Sequence, residues 1–452
     1  LQSPKDVHQN IFMDPKLNHL LLRAGFGTQP KAISRLGWKS PADALPSLFR
    51  TDDFSITLPK GTGSDRSKVD KSKIREQTVA MNLEWLIGMA ESKSPLQEKM
   101  CFFWHDHFGV KAKLPVLAAI HNNTLRKYAL GKFGDLLHAV AKDPAMLLFL
   151  NNQQNKKSAP NENFARELFE LFTLGEGHYT ESDIKEAARA FTGWKTDRQG
   201  AFRFVRFQHD YGAKTVFGKR KNFTGEQVVD LVLQQPQTAK FIVDKIVDFM
   251  VGPQLDQAKR SDLYSSFRRS DLHIGKLLQE IFTSDWFYAQ EHRAARIKSP
   301  IELLVSVCQA FDLKKDSGIG LLMAQRSLGQ VLFAPPSVAG WPSERQWIDS
   351  SSLLYRQNLG FAVLLNRALK GIEKANFDAK VKGMDLPKGS KLFSASTRYW
   401  QGLSTAACSE ILFAKPPSQQ VLAQIDRAAG AESTPELMRL ALLMALPEYQ
   451  LC

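Results

Sequence analysis

Apolar residues return every three or four positions along most of this chain, with turn residues between the runs. That spacing predicts helices almost throughout. A first helix holds His19, Leu20, Leu21 and Leu22 and closes at Gly25 to Gly27. A second is expected from Pro30 to Leu36, with Gly37 as its stop. Residues 51 to 71 have no period and read as a loop. Lys73 to Met89 predicts a long helix, and Ser94-Pro95 starts the next, which carries QEKMCFFWHDHFG. There Met100, Phe103, Trp104 and His107 share one helical face, and His105 points elsewhere. Shorter helices follow at His121–Leu130 and Phe133–Lys142, and another runs from Asp143-Pro144 to Asn151-Asn152.

The most densely patterned stretch is Pro160–Trp194, which predicts helix, tight turn, helix. The first helix is expected from about Asn161 to Thr173, stopping at Gly175 and Gly177. Phe164, Leu168, Leu171 and Phe172 form its apolar face, and Asn163, Glu167 and Glu170 form a polar stripe beside it. Thr180 and Asp183 mark a capping box for the second helix, whose inner face is Ile184, Ala187, Ala188 and Phe191.

After Trp194 the period changes. Phe202, Phe204 and Arg206 alternate with Arg203, Val205 and Phe207, which predicts a short strand. HDYGA is its expected turn and KTVFG its return, giving a hairpin lying over helices. Helices resume from Thr224 to Leu233, Gln237 to Val251, Asp256 to Phe267, Ile274 to Phe282 and Pro300 to Phe311. Pro335-Pro336 and Gly340-Trp341-Pro342 bar regular structure. A helix from Ser352 to Leu369, an irregular insertion over 370 to 395 and three terminal helices complete the chain. The fold class is therefore all-α, a large multi-helix, bundle-like array with one small β-hairpin. The expected organisation is a helical region over 1–195, a hairpin insertion over 196–222 and a second helical region over 223–452, the two packed as one body.

Composition narrows the function only modestly. Apolar residues make up 43%, enough for a substantial core, and the formal charge is +14. That charge permits nucleic acid, acidic glycan or anionic lipid as partners without choosing among them. No compact arginine and aromatic array points to base stacking, so specific nucleic-acid binding is not expected. Cys101, Cys308, Cys408 and Cys452 are too far apart in sequence for a metal knuckle or a CxxC pair. There is no apolar run long enough to span a membrane. The chain begins at Leu1 without a charged-then-apolar leader, which fits a mature exported protein or a trimmed one equally.

Four polar clusters are candidates for chemistry: His105-Asp106-His107; Glu162, Asn163, Glu167 and Glu170 with Arg166; His178 with Glu181 and Asp183; and His209-Asp210 with Lys214. Each also has a structural reading. The histidines can bond backbone carbonyls at a helix end, Arg166 and Arg189 can neutralise the acids, and Asp183 and Asp210 fit a cap and a turn. If the clusters meet, Glu167, Glu170, His105, His209 and Asp210 are the catalytic candidates. His105, His107, Glu167 and His178 are then the candidate ligands of a divalent metal, such as zinc, iron or manganese. Trp104, Trp194, Trp341 and Trp347 could line a polymer cleft or simply pack. No Gly-x-Ser-x-Gly elbow, HExxH helix or kinase signature is present.

HLLLRAGFG, FFWHDHFG, DPAMLLFLNNQQN, PNENFARELFELFTLGEGHYTESDIKEAARAFTGW, the HD at 209–210, KSPIELLVS and LGQVLFAPPSVAGWP occur in this order. Together they resemble the bacterial family catalogued as domain of unknown function 1800, over roughly residues 14 to 450. That family often has Asn where this chain has Asp106. The resemblance implies a mostly helical bacterial protein, often exported, and hence a periplasmic or extracellular place with the cytoplasm still open. It implies no established reaction. The leading expectation is a metal-assisted or acid/base hydrolase acting on an envelope or extracellular polymer, with a glycan or another exported protein as partner. The alternative is a non-catalytic binding or assembly protein of the envelope. The first requires His105 or His107 close to Glu167 or Glu170 in one open cleft. The second requires an aromatic or basic surface patch.

Overall fold

Proline opens eight of the helices: Pro15, Pro41, Pro95, Pro115, Pro144, Pro236, Pro300 and Pro435. Its fixed φ suits the first turn, and the N–H it lacks would have no helical partner there. A computed structural model describes residues 13–28, 36–59, 71–197, 200–367 and 391–452, and nineteen α-helices lie among them. The N-terminal set is α1 (Pro15–Ala24), α2 (Pro41–Leu48), α3 (Lys71–Glu91), α4 (Pro95–His107), α5 (Pro115–Tyr128), α6 (Phe133–Ala141) and α7 (Pro144–Phe149). The central pair is α8 (Asn163–Glu170) and α9 (Glu181–Ala190). Next come α10 (Gly225–Gln234), α11 (Pro236–Met250), α12 (Gln257–Arg269), α13 (Ile274–Thr283), α14 (Pro300–Phe311) and α15 (Gly318–Ser327). The last four are α16 (Ser350–Leu365), α17 (Thr405–Leu412), α18 (Gln419–Gly430) and α19 (Pro435–Ala445).

The chain is predominantly α, as the spacing predicts. Helices α2 and α15 were not expected. The first is short and carries an internal proline, Pro46; the second opens on glycines, Gly318 and Gly320. The helix expected over Pro30–Leu36 and the insertion over 370–395 lie largely outside the described residues. Helix α8 is shorter than expected. Beyond Glu170 the amides of Leu174 and Gly175 both reach back to the Phe169 carbonyl, which closes the helix.

The single hairpin is corrected to two small antiparallel sheets. Strand β1 (Trp194–Thr196) pairs with β2 (Phe202–Phe204), setting Trp194 opposite Phe204 and Lys195 opposite Arg203. Strand β3 (Lys214–Val216) pairs with β4 (Lys219–Lys221). Thus FRF finds its partner upstream, and KTV turns back on the lysine-rich run after it. One cluster of buried apolar side chains runs from Met13 to Tyr449 and holds most of the helices together. Helix α4 lies deep within it. From Leu96 to His105 every residue is buried, Glu98 and Lys99 included. Glu98 takes hydrogen bonds from Trp85 and Arg126, and Lys99 pairs with Glu302 at 2.5 Å. Charges sealed in an apolar interior require such partners.

Candidate functional site

The end of α4 presents His105, Asp106 and His107 to three different neighbours. His105 Nε2 accepts the N–H of Phe333 at 3.1 Å, so the ring proton resides on Nδ1. Phe333 has a left-handed φ of 65°, uncommon for a bulky residue, and its ring packs on His105 and Trp85. Asp106 Oδ1 accepts the N–H of Trp341 at 2.8 Å. His107 uses Nε2–H to donate to the Phe172 carbonyl at 3.1 Å, the opposite tautomer from His105. Burial drives the His105 imidazole down to about 3 and His107 well below its ordinary value, so both rings are neutral. Burial likewise raises the Asp106 carboxyl to about 6.

Close approach makes this seam tight. A Cβ at Gly109 would meet the carbonyls of Ser337 and Val338 and the amide of Gly340 at about 3 Å. A Cβ at Gly340, whose φ is 81°, would run into Asp106. FFWHDHFG and APPSVAGWP are therefore one joint, 228 residues apart between His105 and Phe333.

The acids lie in a separate network. Arg166 holds Glu181 through both carboxylate oxygens, at 2.7 and 2.8 Å, and reaches Glu162 at 3.2 Å. It does not pair with Glu167 or Glu170. Glu170 accepts the Tyr179 hydroxyl at 2.6 Å. Half-buried Glu167 is raised above the usual carboxylate range by burial, with Glu170 adding repulsion. Its field comes from Glu170 and Arg166, whereas the charge acting on His107 is Lys245. His178 is exposed in the α8–α9 turn. Asp183 completes its capping box with Thr180 and also accepts the Phe217 amide.

His209 and Asp210 fasten the β2–β3 connection to the end of α9. His209 Nδ1–H donates to the Thr192 carbonyl at 2.9 Å, and the Asp210 amide donates to Thr192 Oγ1 at 2.8 Å. The Arg189 bond to Asp210, at 2.7 Å, holds that carboxyl below its ordinary range. Buried Lys214 donates to the carbonyls of Asp210 and Gly212.

The four clusters thus have separate hydrogen-bond partners. Among the described residues, no group of three or more His, Cys, Asp and Glu side chains is placed to hold a metal ion. His105, His107, Glu167 and His178 do not form one, because the two imidazoles face opposite ways into the core while His178 faces solvent. Trp104, Trp194, Trp341 and Trp347 are buried packing residues rather than the walls of an open cleft.

The surface feature that sequence reasoning missed lies around His209. Phe204, Phe207 and Tyr211 are 39, 74 and 56% exposed, and the first and last flank the His209 ring at 5.2 and 4.7 Å. Arg203 and Arg206 are exposed on the same segment. Lys156 and Lys157 join them, since the Lys157 amide bonds the Gln208 carbonyl at 2.8 Å. Among the described residues no carboxylate forms an ion pair with these four cations. The alternating Phe and Arg of FRFVRF was the available signal.

No helix among the described residues is long and apolar enough to cross a membrane. A search of curated proteins and a search of solved structures return no match. The family model described as protein of unknown function (DUF1800) matches residues 19–451. With nearly the whole chain covered by that model, the protein belongs to the DUF1800 family.

Proposed function

We propose that this protein is a non-catalytic binding protein of the bacterial envelope whose ligand is an acidic glycan. The observation that carries this reading is the patch of Phe204, Phe207 and Tyr211 set among four exposed cations that no carboxylate of the described residues pairs with. Exposed aromatic rings offer flat apolar platforms for the C–H faces of sugars, and exposed large apolar side chains in one place mark a contact surface. Arg203, Arg206, Lys156 and Lys157 supply the complementary charge for uronate or sulfate groups. The rings sit on a firm base, because Asp210, Arg189, Thr192 and Lys214 pin the segment to α9.

Binding of polygalacturonate, neutral dextran and duplex DNA at about 0.3 M salt tests the reading, since non-specific attraction to phosphates fades there. Retention of the polyuronate is expected, with about a tenfold loss in Phe207→Ala and a larger loss in the Phe207→Ala, Tyr211→Ala pair. Binding to none of the three, or to DNA alone, would overturn it.

A hydrolytic reading keeps one supporting observation, the raised carboxyl of Glu167 beside Glu170. A raised carboxyl can serve as a general acid. If that reading holds, polyuronate is cleaved with an activity that falls as pH rises through the Glu167 titration, and Glu167→Gln abolishes turnover without lowering the thermal midpoint. Undiminished turnover in Glu167→Gln would dispose of it.

A further inference from the structure

A second basic cluster is internal. His19 and Arg23 lie four residues apart on α1 and so share a face. Against that face runs the segment 292–296, which leads into α14. Arg23 is wholly buried, and Nη2 donates to the His292 carbonyl at 2.8 Å. Its Nε and Nη1 are buried with no hydrogen-bond partner, and so is Nε of Arg293. Arg296 is buried too, sharing Glu302 with Lys99 and reaching half-exposed Glu344, both contacts at 3.4 Å. Among the described residues no carboxylate forms an ion pair with Arg23 or Arg293.

These groups act on one another. The charges of Arg23 and Arg293 add to burial in holding His19 neutral. Burial lowers Arg23 as well, Cys452 opposes that, Arg296 adds to it, and Glu302 and Glu344 oppose it more weakly. Arg23 falls to about 10, so it remains a cation at neutral pH. The neutral His19 ring donates Nε2–H to the Phe287 carbonyl at 3.1 Å, leaving Nδ1 as a lone pair. A buried guanidinium with two idle nitrogens is costly when its counter-charges, Cys452, Glu302 and Glu344, act on it without an ion pair, and removing a partner from a buried charge is among the more destabilising changes known. The nearest compensation in kind is an anion that takes two N–H bonds from one guanidinium fork.

We propose that Arg23, assisted by Arg293 and Arg296, binds a small inorganic anion between α1 and the 292–296 segment. The ligand class is a halide or a tetrahedral oxyanion such as phosphate. It ties the first helix to the segment ahead of α14 and stands apart from the glycan surface.

The test uses the full chain after exhaustive exchange into a buffer without halide or phosphate. Sodium bromide and sodium phosphate are titrated separately at constant ionic strength while the thermal midpoint is followed. A saturable rise with one of them is expected, as for any ligand bound only by the folded state. The Arg293→Gln variant, altered at a partly exposed side chain, should weaken that anion about tenfold; Arg23→Gln should abolish the dependence if it folds. A crystal grown with the stabilising anion should show it within hydrogen-bond distance of Arg23, by anomalous signal for bromide. A flat midpoint with both anions, or a water or a polypeptide carboxylate on Arg23, overturns the proposal.

Discussion

The end of α4 and the segment 203–211 invert what their residues lead one to expect. His105, Asp106 and His107 are polar, yet they are turned inward and each binds one backbone group of a distant segment. Phe204, Phe207 and Tyr211 are aromatic, yet they stand in solvent. A polar side chain inside a core contributes specificity only when its partner is built to match, and at α4 the match is made three times over. An aromatic ring outside forfeits its burial energy, which makes it a better guide to contact with something else. The first region serves the fold, and the second is available to a ligand.

The comparison breaks most violently at Gly340. Alanine there meets a left-handed φ and a collision with both the carboxylate and the carbonyl of Asp106. A loss of more than about 4 kcal/mol is expected, in the range reserved for backbone conflict within a packed core. Urea unfolding of Gly340→Ala reads it directly. Adding Asp106→Ala should recover only part of the loss, since the carbonyl remains. A near-wild-type midpoint would mean that the loop is free to move and that α4 is not its anchor.

A smaller effect sharpens the same side through pH. His105 takes up its proton at about 3 when folded and near 6.5 when unfolded. Between those values the unfolded chain binds the extra proton, so stability rises with pH and is lost as pH falls below 6.5. One such histidine contributes about 2 kcal/mol of loss between pH 7 and 5, and His107 acts in the same direction. Asp106 opposes them. Its carboxyl is raised to about 6, so it weakens the fold as pH climbs from about 4 to 6. Unfolding free energies at pH 7 and 5 should therefore differ less in His105→Phe than in the parent chain. An unchanged difference would show that His105 is not held neutral in the core.

How much of this was legible in the chain follows from the range of each interaction. Thr180 and Asp183, three residues apart, form the capping box that their spacing announces, and Pro300 opens its helix as expected. Such signals are local. The partner of FRF was not legible, because Trp194 reads as the residue that packs beyond a helix end and instead begins a strand. The inward turn of His105 on α4 has a different cause. A helix buried on every side has no solvent face, so a histidine off the apolar stripe still enters the core. What His105 meets there, Phe333, is contributed from far along the chain and carries no mark in the local pattern. Arg23 was equally silent: one arginine in an apolar helix says nothing of Arg293 and Arg296 until the fold brings them near.

The smallest expected change in stability belongs to the other side of the comparison, and it separates the two regions most cleanly. Phe207 is 74% exposed, so truncating it removes little burial, and Phe207→Ala should shift unfolding by no more than about 0.5 kcal/mol. Were Phe207 a core residue, the same truncation would cost about 3–5 kcal/mol. Unfolding and polyuronate affinity measured on one preparation distinguish the cases. A ring that supports the fold loses stability first and binding only as a consequence. A ring that serves a ligand loses affinity with its midpoint unmoved, and for Phe207 the second pattern follows from a ring that packs against so little of its own protein.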